Sequence, residues 1–244
     1  MSVRAILFDL DGTLLPMDQE RFLSHYFHAI TSTLAKSGGY EPERLGRAIW
    51  KATAAMLKND GSRTNEARFW DAFSALYEDR DVRADEGLFA AFYEKEFLSL
   101  SSLFTPSPDI VSLIQELRAR GMTLVLATNP VFPAVATRNR LAFAGLDAAD
   151  FARITTYENA TFAKPSLGYY REIADALRLR PEECIMVGND VADDMPARQT
   201  GMEVFLLTPC LINKEGAPID AYPHGNVAEL RRYLLEKIDE EEKR

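Results

Sequence analysis

The sequence predicts the α/β class: a parallel sheet core with an all-helical segment inserted after the first strand. Three observations carry that expectation. Short, nearly continuous apolar runs at Val3–Phe8, Thr123–Ala127 and Cys184–Val187 have the mark of strands buried on both faces. From Asp109 onward such runs alternate with stretches of helical period, the pattern of a parallel sheet wrapped by helices. Residues 17 to about 100, by contrast, read as helix throughout.

The first run ends abruptly in Asp9-Leu10-Asp11-Gly12-Thr13. Alternation along an extended backbone points Asp9 and Asp11 to one side and Leu10 to the other. Two carboxylates at the carboxyl end of a buried strand stand where open α/β sheets build their sites. They repel each other unless a cation or a shared proton intervenes. Gly12 lets the chain turn, and Thr13 offers an anion a hydroxyl and a backbone N–H. An acidic Asp-Gly turn is the plainer alternative.

Leu14-Leu15-Pro16 reads as a turn leaving the sheet. From Arg21 to Lys36, Phe22, Tyr26, Ile30 and Leu34 recur every four residues and predict an amphipathic helix. His25 and His28 lie on it without a third ligand at matching spacing, so they read as helix residues rather than a metal pair. Gly38-Gly39 breaks the pattern and Pro42 opens a second helix marked by Leu45, Ile49, Ala52 and Met56. After the turn Asn59–Ser62, Thr64 caps a third helix with Phe69, Phe73 and Leu76, and a fourth holds Leu88, Phe92 and Phe97. Trp50, Trp70, Tyr77 and Tyr93 read as helix–helix packing, with room for some to meet a substrate as well.

Ser101–Pro108 has the composition of a linker. A helix through Ile110, Leu113, Ile114 and Leu117 closes at Gly121, and the strand Thr123–Ala127 ends at Thr128-Asn129-Pro130. Helix Val135–Phe143, the short strand Arg153–Thr156, Lys164-Pro165 and helix Ser166–Leu177 follow. The strand Cys184–Val187 runs into Gly188-Asn189-Asp190 and Asp193-Asp194, and a helix ends near Gly201. Val204–Leu207 is the last strand expected; after a loop with Pro209, Pro218 and Pro223, Val227–Ile238 forms the final helix. The charge run Ile238–Arg244 reads as a frayed, solvated helix end.

A net charge of −9 leaves no basic surplus for phosphate backbones, which argues against nucleic acid as a general partner. No apolar run approaches membrane-spanning length, and Met1 leads straight into the first strand without a signal peptide. With two cysteines, Cys184 and Cys210, read as small apolar groups, a reducing, cytoplasmic setting is expected.

Polar residues thus gather at successive strand ends or a helix start: Asp9, Asp11 and Thr13; Thr128 and Asn129; Lys164; Asn189, Asp190 and Asp194. In a parallel sheet with right-handed crossovers these converge on one edge. A carboxylate there can act as nucleophile, a second can move protons, a lysine and hydroxyls can hold an anion, and further oxygens suit a hard cation such as Mg²⁺.

DLDGT, LATN, the isolated Lys-Pro, and VGND followed by aspartates resemble, in order and spacing, the four motifs of the haloacid dehalogenase superfamily. The resemblance covers the α/β part of the chain. It implies a Rossmann-like core at residues 1–16 and 101–244, with residues 17–100 as a helical cap of the kind in phosphoglycolate-phosphatase-like members. It makes Asp9 the nucleophile, Asp11 the acid/base, Thr128 and Asn129 ligands of the phosphoryl oxygens, and Lys164 the counter-charge. Mg²⁺ would be held by Asp9, the backbone carbonyl of Asp11 and the fourth motif. There Asn189 and Asp190 both remain candidates, because many relatives read Gly-Asp where this chain reads Gly-Asn-Asp; Asp194 is favoured over Asp193 as the later carboxylate.

The activity implied is a Mg²⁺-dependent phosphohydrolase acting on a small phosphorylated metabolite through an aspartyl-phosphate. Asp11 argues against a haloalkanoate dehalogenase or a phosphonatase. A phosphomutase, or a binding or regulatory protein on the same fold, is the alternative.

Overall fold

The computed structural model describes residues 3–242. Six parallel strands form one sheet: β1 (Ala5–Phe8), β2 (Thr123–Leu126), β3 (Arg153–Ile154), β4 (Cys184–Gly188), β5 (Glu203–Leu207) and β6 (His224–Gly225). Their order is β3-β2-β1-β4-β5-β6, so β1 is central and the order reverses between β1 and β4. That reversal opens a crevice at the carboxyl ends of the strands. Phe8 pairs with Leu126 on one side and Val187 on the other, so the chain leaves the sheet at the same level in three adjacent strands.

Both faces of the sheet are covered, which explains the uninterrupted apolar runs. On one face Ile6, Phe8, Leu124, Leu126, Ile185 and Val187 pack against α5 (Pro108–Ala119), α6 (Ala134–Phe143) and α8 (Val227–Glu242). On the other, Ala5, Leu7, Val125, Cys184 and Met186 meet α7 (Leu167–Leu177) through Tyr169, Tyr170 and Ile173. Asp9 continues the alternation of Ala5 and Leu7, which aims it at the α7 side.

Between β1 and β2 lie α1 (Gln19–Gly38), α2 (Pro42–Leu57), α3 (Asn65–Ser74) and α4 (Glu86–Glu94). They share a third apolar cluster, rich in edge-to-face rings such as Trp70–Phe73 and Tyr26–Phe97. Thr64 caps α3 as expected, accepting from the Ala67 N–H at 3.2 Å. Asn65, fully buried, ties this layer to the sheet domain: its Nδ2 donates to the carbonyls of Pro130 and Phe162, both at 3.1 Å.

The turn expected at Leu14-Leu15 is present and buried, with the Leu15 N–H donating to the Leu10 carbonyl at 2.8 Å. Other readings change. The fourth helix stops at Glu94, where Lys95 adopts φ −123° and ψ −78°; Phe97 belongs to a separate 3₁₀ stretch, Glu96–Leu103. That stretch enters the segment read as a linker, and Leu103 and Phe104 pack partly buried. Trp50 packs across α1 and α2 on one side only: its ring centre lies 6.0 Å from that of Phe27 and it is 59% exposed, whereas Trp70, Tyr77 and Tyr93 are buried.

No single helix among the described residues is long and apolar enough to cross a membrane. The terminal charge run is helical as far as Glu242; Met1, Lys243 and Arg244 lie outside the described residues.

Candidate active site

Asp9 stands one residue past β1, its backbone N–H donating to the Val187 carbonyl at 2.9 Å. Lys164, from the loop before α7, donates to Asp9 Oδ1 at 2.8 Å and to Asp194 Oδ1 at 2.6 Å. Asp9 Oδ2 accepts no hydrogen bond from the described residues. Burial alone would lower the Lys164 ammonium, but the carboxylates of Asp194 and Asp9 outweigh it and hold Lys164 well above the ordinary lysine range. Asp194 is fixed from its other oxygen too, accepting from the Asp190 N–H at 2.9 Å. Burial raises Asp194 above the ordinary carboxylate range, against the pull of Lys164. Gly188 is required here, because a Cβ would lie 2.1 Å from the Asp194 carboxyl.

Asp11 lies on the same side of the turn. Arg140 of α6, wholly buried, donates from Nη1 to Asp11 Oδ2. Asp11 Oδ1 is buried without a partner, as are Arg140 Nε and Nη2. The guanidinium also sits over the Phe132 ring, 4.3 Å from its centre. Burial, reinforced by Asp9, raises Asp11 despite the opposing pull of Arg140. Arg140 was not singled out in the sequence. The signal was there: it shares the buried stripe Ala136, Thr137, Arg140 and Leu141 along α6.

Thr128 is buried at the end of β2, its carbonyl accepting from the Thr155 and Tyr169 hydroxyls at 2.8 Å each. Asn129 Nδ2 donates to Asp193 Oδ2 at 3.3 Å and leaves its own Oδ1 buried without a partner. The two candidates in the fourth segment differ in what they hold. Asn189 is a clamp: its Oδ1 accepts from Thr13 Oγ1 at 3.0 Å and its Nδ2 donates to the Cys210 carbonyl at 2.6 Å. Gly12, at φ +87°, passes so close that a Cβ would lie 2.3 Å from that Nδ2. Asp190 uses Oδ1 to accept from the Ala192 and Asp193 N–H groups, at 2.8 and 3.1 Å, and its Oδ2 accepts none. Burial, with Asp190 beside it, raises Asp193.

Of the site residues read from the sequence, all but Thr13 line one cavity of about 390 Å³, roofed by α1 and α2; Thr13 is buried behind it against Asn189. Asp9, Asp11, Asp190, Asp193 and Asp194 all border it, and among the described residues Lys164 and Arg140 are the cations bonded to them. Such a surplus of hard oxygen donors, with Asp11 Oδ1 and Asn129 Oδ1 orphaned, fits a divalent cation. Among the described residues no three side chains converge as a closed cage. Mg²⁺ does not require one, because it keeps waters and takes substrate oxygens.

The site is thus a parallel sheet whose central strand ends in a carboxylate, Asp9, held by a buried lysine, Lys164. Residues 3–201 match the family model of the haloacid dehalogenase-like hydrolases, and the chain belongs to that family. It is 27% identical to hexitol phosphatase A of Escherichia coli K12, over 98% of this chain and 94% of that protein. It is 25% identical to a phosphoglycolate phosphatase of Rhodospirillum rubrum, over 84% of this chain and 79% of that one. Among solved structures, the magnesium-bound HAD-hydrolase YfnB of Bacillus subtilis superposes with a TM-score of 0.57 at 19% identity, covering 96% of this chain and 99% of that one.

Proposed function

We propose that the chain is a Mg²⁺-dependent phosphatase that transfers the phosphoryl group of a small phosphomonoester to Asp9 and then to water. The observation that carries this reading is Asp9 itself: one oxygen held by Lys164, the other unbonded, at the mouth of the central strand. The names of the curated relatives, all phosphatases or pyrophosphatases, support it.

Asp9 Oδ2 attacks phosphorus while the bond to the leaving oxygen breaks, and Asp11 Oδ1 gives that oxygen its proton. Water then attacks the aspartyl-phosphate, Asp11 takes the water's proton, and the bond to Asp9 breaks to release inorganic phosphate. Lys164 keeps Asp9 oriented and offsets the charge gathering there. Thr128 and Asn129 receive the phosphoryl oxygens, and Thr13 acts through Asn189, to which its hydroxyl donates. Asp9, the Asp11 carbonyl and Asp190 would hold Mg²⁺, with Asn189 and Asp194 buttressing that loop, and the ion would supply charge neutralisation for the phosphoryl group. Asp190 is preferred as the direct ligand because its Oδ2 is uncommitted while both polar atoms of Asn189 are engaged.

In this reading residues 17–100 act as a cap over a core of residues 1–16 and 101–244. Support comes from the separate apolar cluster of α1–α4 and from the α1 and α2 side chains that line the cavity. A closed cap excludes water and admits only small substrates. The test is phosphate release from phenyl phosphate with and without Mg²⁺, in the wild type and in Asp9→Asn. Metal-dependent release that Asp9→Asn abolishes supports the reading; equal release by both proteins overturns it.

A further inference from the structure

The wall of the cavity opposite Asp9 is apolar and carries no positive charge. The α1–α2 face presents Phe22, Leu23, Trp50 and Leu57, with Gln19 and Thr53 as uncharged polar groups; its one charged side chain is Glu20. Trp50 and Leu57 are 59% and 45% exposed, two of the four large apolar side chains left open on the described surface. Exposed rings of this size, set in the roof of a site, have surface to give to a ligand.

The nearby cations are placed elsewhere. Lys164 is bonded to Asp9 and Asp194, and Arg140 to Asp11. Lys214 borders the cavity beside Asp190 and Asp193, and with them lines a neighbouring cleft away from Trp50. Arg47 and Lys51 lie in the groove beyond Trp50, where Arg47 pairs with Glu43 at 3.4 Å. A leaving group that turns a carboxylate or a second phosphate toward the α1–α2 face would therefore meet Glu20 and apolar carbon; Lys214, without an ion pair among the described residues, lies on the Asp190 side of the cavity. Desolvating such a charge without a partner is unfavourable.

Building on the phosphatase reading, we propose that this cavity takes a phosphomonoester whose leaving group is uncharged and presents an apolar or aromatic face to Trp50. Compounds with a second anionic group, such as phosphoglycolate or pyrophosphate, are poor ligands.

The chain has two tryptophans, and Trp70 is buried, so Trp50 reports directly on the cavity. Asp9→Asn, saturated with Mg²⁺, is titrated with phenyl phosphate, phosphoglycolate and inorganic phosphate while tryptophan emission is followed. Phenyl phosphate is expected to bind about tenfold more tightly than the other two, the gain one well-seated apolar group provides. Its emission change should vanish when Trp50→Phe is added, and Trp50→Ala should weaken phenyl phosphate alone. Thr53→Arg, which sets a cation in the roof, should invert the order in favour of phosphoglycolate. Equal or tighter binding of phosphoglycolate by the parent protein, or an emission change that survives Trp50→Phe, overturns the proposal. Binding is read without turnover, so the two readings fail separately. Phenyl phosphate seated on Trp50 in a protein that hydrolyses no ester sinks the phosphatase and supports the site. Rapid hydrolysis with phosphoglycolate preferred sinks the specificity and supports the phosphatase.

Discussion

The guanidinium of Arg140 holds Oδ2 of Asp11 and leaves Oδ1 of the same carboxylate without a partner. In the proposed mechanism α6 thereby fixes which oxygen of Asp11 stays free to exchange a proton. Arg140→Met keeps the bulk and removes the grip. It should lower kcat about 100-fold, the scale of a general acid/base contribution, with KM within about twofold. Arg140→Lys should recover only part, because an ammonium lacks the planar fork. An unchanged kcat in Arg140→Met would reduce the pair to packing.

Asn65 anchors the helical layer to the sheet domain through two donated hydrogen bonds and one accepted from Asn59 Nδ2 at 2.8 Å. Asn65→Ala leaves those buried partners unsatisfied and should cost ~2–4 kcal/mol in denaturant unfolding. If the helical layer moves on this anchor, hydrogen exchange in α3 should rise more than in α5. A loss below about 0.5 kcal/mol would contradict the anchoring role.

Asn189→Asp would set a carboxylate oxygen where Nδ2 now donates to the Cys210 carbonyl at 2.6 Å. Repulsion there should lower stability by ~2 kcal/mol, the cost of a lost bond and an unmet acceptor. Asp190→Asn spares that clamp and should instead weaken Mg²⁺ in titration calorimetry. Tighter Mg²⁺ in Asn189→Asp with no change in Asp190→Asn would return the ligand role to position 189.

The hydroxyls of Tyr26 and Tyr93 meet at 2.7 Å inside the helical cluster. Burial pushes Tyr26 up to about 12, with the Tyr93 hydrogen bond opposing, and burial raises Tyr93 well above its ordinary value. A raised native value means the folded state binds more protons than the unfolded one once pH passes about 10. The stability from keeping these groups neutral is present below about pH 10 and is lost as pH rises through the native values. Melting temperature should fall steeply above about pH 10, and ultraviolet absorbance should show the buried tyrosines ionising only as the chain unfolds. Ionisation of all nine tyrosines near pH 10 in a folded protein would contradict this.

How much of the site could be read in advance follows from how each residue signals itself. Asp9, Thr128 and Asn189 end apolar runs, so a change of polarity marks both the strand and its last position. Lys164 was reached only through motif order, since nothing around it shows that its ammonium is buried. Arg140 shares a short, weakly amphipathic helix with Arg138, and its charge is met by the distant Asp11. Trp50 shows the converse: helical periodicity counts an aromatic as apolar even where, as here, a single neighbouring ring leaves most of it open. β6 is two residues after Pro223 with no apolar run, and the break at Lys95 carries neither glycine nor proline. Both are set by tertiary pairing rather than local sequence.

The central claim is that Asp9 carries the phosphoryl group, and acid quenching within one turnover addresses it directly. Mixing the protein and Mg²⁺ with a radiolabelled aryl phosphate should place label on the peptide containing Asp9, in a form that hydroxylamine releases. Label should be absent in Asp9→Asn and should accumulate in Asp11→Asn, where an aryl leaving group needs no acid but the second step lacks its base. Turnover at the wild-type rate without label on that peptide, or with label in Asp9→Asn, would contradict the account.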